Sequence, residues 1–297
     1  MYSVLRRQKT ILALLAESQQ PVTATVLVKL AFLLRRETIL ASDPAFYDFV
    51  PYLYGPFSFA LYRELDCLQR DGLITKTDER FALSGTAVTT VREHLSGLAS
   101  DVRSAVSFVV KKYGGSDHRE LLSDVYSRYP WYASRSERTD LKPPGLVDRK
   151  LAPPAVYTAG YQQKSVDGFF DDLLRAGIQV IVDVRANPVS RKYGFARSSM
   201  GNIAEKLGME YRHLPRLGIP SEDRAGLDDE ASYQRLLDRY EHEMLPERRV
   251  DVDELAQRMK AKPCVLVCME QDVRSCHRSR LASAVSKVSG LAVNHLG

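Results

Sequence analysis

Two stretches constrain the chain more than any others: "IQVIVDVR", from Ile178 to Arg185, and "CVLVC", from Cys264 to Cys268. Both are apolar at successive positions rather than at alternate ones. A strand points successive side chains to opposite faces, so an uninterrupted apolar strand must be covered on both. A parallel sheet with helices on each side meets that condition, and parallel neighbours need crossover connections. The intervening sequence supplies them. "SVDGFFDDLLRAG" reads as a helix with Ser165 as its N-cap and Gly177 at its stop. "SMGNIAEKLG", "ASYQRLLDRYEHEML", "VDELAQRMKA" and "HRSRLASAVSKVSG" read as further helices, and "AVYTAGY", "MEYRHLP" and "LAVNHL" as further strands. Residues 155–297 are therefore expected to form an α/β domain with a mostly parallel, Rossmann-like sheet and right-handed crossovers.

The remainder has a different texture. With 297 residues there is room for a second domain. "TILALLAES" and "TATVLVKLAFLLRRE" have helical apolar spacing, with Thr23 as an N-cap. Pro56 stands where a third helix could begin, and Asp71-Gly72 ends that helix. "LITKTDERFALSG" reads as two short strands around a polar turn. Helix, helix, helix, hairpin is the order of a winged helix-turn-helix. Residues 1–135 are thus expected to form a winged-helix-like and helical domain. Residues 136–154, within a polar, Pro-rich and charged stretch, are expected to be a linker.

Ligands of open α/β sheets bind beyond the carboxyl ends of the strands. Gly160 and Tyr161 follow the first predicted strand. Asp183, Arg185, Asn187, Ser190, Arg191, Tyr193 and Phe195 end or follow the second. His213 ends the third, and Cys276, His277 and Arg278 come after the fourth. Asp183, Arg185, Cys276 and His277 are the candidate catalytic groups; the others are candidate substrate contacts. The aromatics could stack a base and the basic residues hold phosphate. Cys276 and His277 open a helix, where the dipole lowers a thiol's pKa and attracts anions. Cys268 reads as a core thiol. Cys-x7-Cys-His is not a standard zinc spacing, so a zinc site completed by Cys264 is a weak reading and no metal ligands are assigned. There is no Walker motif and no G-x-G-x-x-G after a strand, so no cofactor is expected.

Two resemblances bear on these readings. "YTAGYQQKSVDGFFDDLLRAGIQVIVDVRANPVSRKYGF", "YRHLPRLG" and "LVCMEQDVRSCHRSRLA" resemble domain of unknown function 488 over Val156 to Ala284. The family pattern falls on Gly160, Asp183, Arg185, Pro188, Ser190, His213, Leu217, Gly218, Cys276, His277 and Arg278. The stretch Leu30–Ile74, through "FVPYLYGPFSFALYRELDCLQRDGLI", resembles the winged modules of small phage-associated antitoxin-like proteins. That resemblance implies protein–protein contact more than DNA reading, and so a protein partner or a homodimer through this domain.

The net charge of +5 suits a polyanionic partner. The expected function is that of a DNA-acting enzyme that hydrolytically excises a modified base, in DNA repair or anti-phage defence. Asp183 would orient water and stabilise an oxocarbenium-like state. Two other readings stand beside it: a thiol-dependent enzyme using Cys276, and a non-catalytic nucleotide sensor or adaptor. No apolar run approaches the ~20 residues that span a bilayer. "MYSVLRRQKTILALLAES" lacks a small-residue cleavage pattern. A cytoplasmic location without membrane contact is therefore expected.

Overall fold

In a computed structural model the chain divides into two compact units, 1–148 and 149–297. The structure describes residues 4–145, 150–226 and 229–296.

The first unit opens with α1 (Arg6–Ser18), β1 (Val22–Thr23) and α2 (Ala24–Glu37). Thr23 caps α2 by accepting a hydrogen bond from the Val26 amide at 3.3 Å. A hairpin of β2 (Val50–Tyr52) and β3 (Gly55–Phe57) precedes α3 (Phe59–Arg70). Pro56 lies inside this hairpin, paired with Pro51, and does not begin the helix. Ser58 does so, its hydroxyl accepting from the Leu61 amide at 3.1 Å. The strands β4 (Ile74–Thr77) and β5 (Arg80–Leu83) pair antiparallel, and β1 adds to β5. Helices α4 (Val88–Ser96), α5 (Ser100–Tyr113), α6 (His118–Arg128) and the short α7 (Pro130–Ala133) complete the unit.

The polar stretch expected to link the domains is partly built into this unit. Ser136 is buried, its hydroxyl 2.7 Å from that of Tyr126, and the Glu137 amide donates to the Leu53 carbonyl. Residues 146–149 of that stretch lie outside the described residues.

The second unit runs β6 (Val156–Gly160), α8 (Val166–Arg175), β7 (Val180–Asp183), α9 (Arg197–Lys206) and β8 (Glu210–His213). It continues with α10 (Glu230–Arg239), a π-helical turn (Tyr240–Met244), α11 (Leu245–Glu247), α12 (Arg249–Ala261), β9 (Cys264–Cys268), α13 (His277–Ser289) and β10 (Val293–Leu296). The five strands form one sheet in the order β10-β6-β9-β7-β8, and every pair is parallel. The mixed α/β class is the one that the apolar runs demand.

Alternation along the strands sorts the interior into two faces. Val180, Val182, Val184, Cys264 and Leu266 pack with Val252, Leu255 and Met259 of α12 and with Leu281 and Val285 of α13. Ile181, Asp183, Val265 and Val267, of opposite parity, are equally buried. Among the described residues, no helix is long and apolar enough to cross a membrane.

Candidate functional site

The chain leaves β7 toward β8 on one side and leaves β9 toward β10 on the other. Such a divergence opens a crevice beyond the carboxyl ends of a parallel sheet. A cavity of about 100 Å³ lies there, lined among others by Tyr161, Arg185, Asn187, Arg224, Cys268 and Glu270.

Asp183, the last residue of β7, faces the side covered by α9. It is fully buried and both of its oxygens are engaged. Oδ1 accepts from the Arg185 amide at 3.1 Å and from Arg185 Nε at 2.8 Å. Oδ2 accepts from the Arg185 guanidinium at 2.5 Å and from the Tyr211 hydroxyl at 2.6 Å. Arg185 also donates to the Tyr161 hydroxyl at 2.6 Å and to the Phe195 carbonyl at 2.9 Å. This is a bidentate, buried ion pair with its remaining hydrogen-bonding groups satisfied. The role of Asp183 as a water-orienting base is therefore corrected: no oxygen of its carboxylate is left to direct a water. Tyr211, which sequence reading passed over, is part of the same network, and burial and the Asp183 charge hold its hydroxyl far above the ordinary value.

The expected phosphate and base contacts are redistributed as well. Phe195 is fully buried and stacks on Tyr161 with ring centroids 4.2 Å apart, so it offers no face to a base. Tyr161 is itself buried and is among the residues that line the cavity. Lys192 donates to the carbonyls of Tyr161 and Gln162, at 3.0 and 2.8 Å. Ser190 accepts from the Lys192 amide, closing a local turn. Tyr193 is half-buried, while Asn187 and Arg191 are exposed. His213 binds the Arg185 carbonyl through Nε2 at 2.9 Å and orders the loop after β7. Arg278 is buried and donates to the carbonyls of Glu270 and Gln271, so it fastens the loop after β9 and is no phosphate clamp. Gly160 is required by the same loop, since a Cβ there would stand 1.9 Å from the Glu270 carbonyl oxygen. Gly218 has the matching duty on the other side, where a Cβ would stand 2.3 Å from the Ala186 nitrogen.

The carboxylate at the cavity wall is that of Glu270. Its Oε2 accepts from the thiols of Cys268 at 2.8 Å and Cys276 at 3.1 Å, and Oε1 lies 3.9 Å from Arg224. Burial pushes the Glu270 carboxyl up, but hydrogen bonds from the two thiols and from its own backbone amide, with His277 nearby, together hold it below its ordinary 4.5. The effect on Cys276 is opposite. Burial, then the adjacent Cys268, drive its thiol well above the usual range. The helix start expected to activate Cys276 is thus outweighed by desolvation, which speaks against a thiolate nucleophile. His277 is buried beside it, with Nε2 3.0 Å from the Val184 carbonyl and Nδ1 3.8 Å from Cys268 Sγ. Glu270 is not among the candidate residues named from the sequence. Its signal was its place two residues beyond a buried strand.

Residues 165–285 match the family described as Domain of unknown function DUF488. The matched span runs from the cap of α8 into α13 and contains Asp183, Glu270, Cys276 and His277. No curated protein and no solved structure matches the chain.

Proposed function

We propose that the second unit is a hydrolase acting on DNA, excising a modified base, with Glu270 as the carboxylate that works at the reacting centre. The observation that carries this reading is the part-buried carboxylate of Glu270 on the wall of a cavity at the crevice of a parallel sheet. Base excision by hydrolysis needs a carboxylate to orient water and to face an oxocarbenium-like state. Glu270 meets that need where Asp183 does not. Tyr161, Asn187 and Arg224 line the same cavity and supply a hydroxyl, an amide and a guanidinium for the leaving group. At about 100 Å³ the cavity is smaller than the ~300–1,000 Å³ of drug-sized ligand sites. That suits a polymer that inserts only its reacting part. The net charge of +5 and the exposed Arg191 and Arg197 favour a polyanion. The first unit adds a protein partner, a second copy or duplex affinity. The setting is cytoplasmic, in repair or in defence against phage with modified DNA, where thiols stay reduced.

The test is incubation of the full chain with plain DNA and with phage DNA carrying modified bases, followed by mild alkali and a denaturing gel. Alkali-dependent breaks that vanish in Glu270→Gln support base excision, and the DNA that breaks identifies the base. Intact DNA throughout, or breaks unaffected by Glu270→Gln, rejects the reading.

A further inference from the structure

We propose that Cys268, Cys276 and His277 form a binding site for a divalent metal ion of zinc's character, with Glu270 beside it on the cavity wall. One donor atom from each of the three lies within 4.8 Å of the others, and all three residues are buried. The separation of 3.8 Å between Cys268 Sγ and His277 Nδ1 is close to the ~3.6 Å expected between sulfur and nitrogen ligands on a tetrahedral zinc ion. A carbonyl oxygen only accepts, so the contact of Nε2 with Val184 puts a proton on Nε2 and makes Nδ1, the nitrogen beside Cys268 Sγ, the one that a metal ion would take. A backbone carbonyl on the far nitrogen is the usual outer partner of a metal-bound imidazole. Glu270 Oε2 contacts both sulfurs and can serve as a fourth ligand or as the base for a bound water.

The surroundings are rigid where a ligand set needs them to be. Arg278 fastens the loop that carries Glu270, and the absent Cβ of Gly160 lets that loop approach. The ring of Tyr240 meets His277 edge-on, with centroids 5.4 Å apart. Cys264 is excluded: four residues back on the same strand face, it stands about 13 Å away at ~3.3 Å per residue. The loop from Met269 to Ser275, with its 3-10 turn Val273–Ser275, doubles back and closes the cluster that linear spacing conceals. Two sulfurs and an imidazole select zinc over magnesium or calcium, which prefer oxygen. On binding, two S–H bonds give way to two metal–sulfur bonds and two protons pass to buffer, with no change of oxidation state. The site rests on this geometry and not on the substrate proposed above.

The experiment uses the full chain, reduced and stripped with a chelator, then titrated with Zn²⁺ and with Co²⁺. The expected result is one ion per chain, about two protons released per ion, and a sulfur-to-cobalt charge-transfer band. Cys276→Ser is expected to weaken binding by more than the ~10–100-fold typical of losing an outer partner. Cys264→Ser is expected to leave binding unchanged. If Cys276→Ser does not fold, the titration of the unmodified chain decides. Failure to bind a stoichiometric ion overturns the proposal. So does equal affinity in Cys276→Ser, or loss of two thiols to a Cys268–Cys276 disulfide that zinc does not prevent. Metal binding without base excision would reject the hydrolase reading and leave this site standing.

Discussion

At the scale of single residues, Asp183 does not hold the part that sequence reading gave it. Asp183 is a structural anion that neutralises a buried Arg185. Removing one partner of such a pair strands a buried charge, so Asp183→Asn is expected to lower unfolding stability by about 3 kcal/mol in a urea titration. Glu270→Gln is expected to cost less than half of that while abolishing turnover. In the metal-free chain, where both thiols keep their protons, the Glu270 carboxyl is held below its ordinary 4.5 and stays ionised down to acid pH. The acid limb of a pH–rate profile is therefore expected below pH 4.5, with activity lost as the pH falls through it; a limb near neutrality would assign the reaction to another group. Gly160→Ala is expected to destabilise the unit by at least about 2 kcal/mol, because the new methyl group meets a backbone oxygen that cannot swing away.

At the scale of elements, helix starts were legible because a cap is a local event. Ser165 accepts from the Gly168 amide at 3.0 Å, as its place before an apolar helical pattern implies. Ser165→Ala is expected to cost about 1 kcal/mol by chemical denaturation. Pro56 was less legible: it suits the first turn of a helix as well as a hairpin, and the Tyr126 ring packed against Gly55 is a tertiary contact that local sequence does not reveal. Lys29, in α2, is likewise a tertiary surprise. It is buried and donates to the Pro56 carbonyl at 3.0 Å, and burial lowers it from 10.5 to about 7. Between those values the unfolded chain holds a proton that the folded one lacks, so stability is expected to rise with pH by up to about 1.4 kcal/mol per unit. Lys29→Met is expected to flatten that slope between pH 7 and pH 10; an unchanged slope would mean that Lys29 keeps its charge in the fold.

At the scale of the whole molecule, the two units have separate interiors, the first around α1, α2 and α5 and the second around the parallel sheet. A fragment starting at Lys150 is expected to fold and unfold cooperatively by itself, measured by circular dichroism in urea. The amino-acid sequence alone determined that this second unit is a covered parallel sheet, because apolar strands without a polar face have no other stable arrangement. It also determined that polar residues gather at the carboxyl ends of the strands, since that follows from strand direction. Tertiary structure alone decided what those residues do. Strand order sets which loops meet, and the close approach at Gly160 brings Glu270 against Cys268 and Cys276. Whether a carboxylate is spent on an arginine or left to face a cavity depends on partners distant in sequence, such as Tyr211 for Asp183 and Val184 for His277. Burial and the partners gathered round each group then set the sign of its pKa shift, and both belong to the folded chain and not to its local sequence.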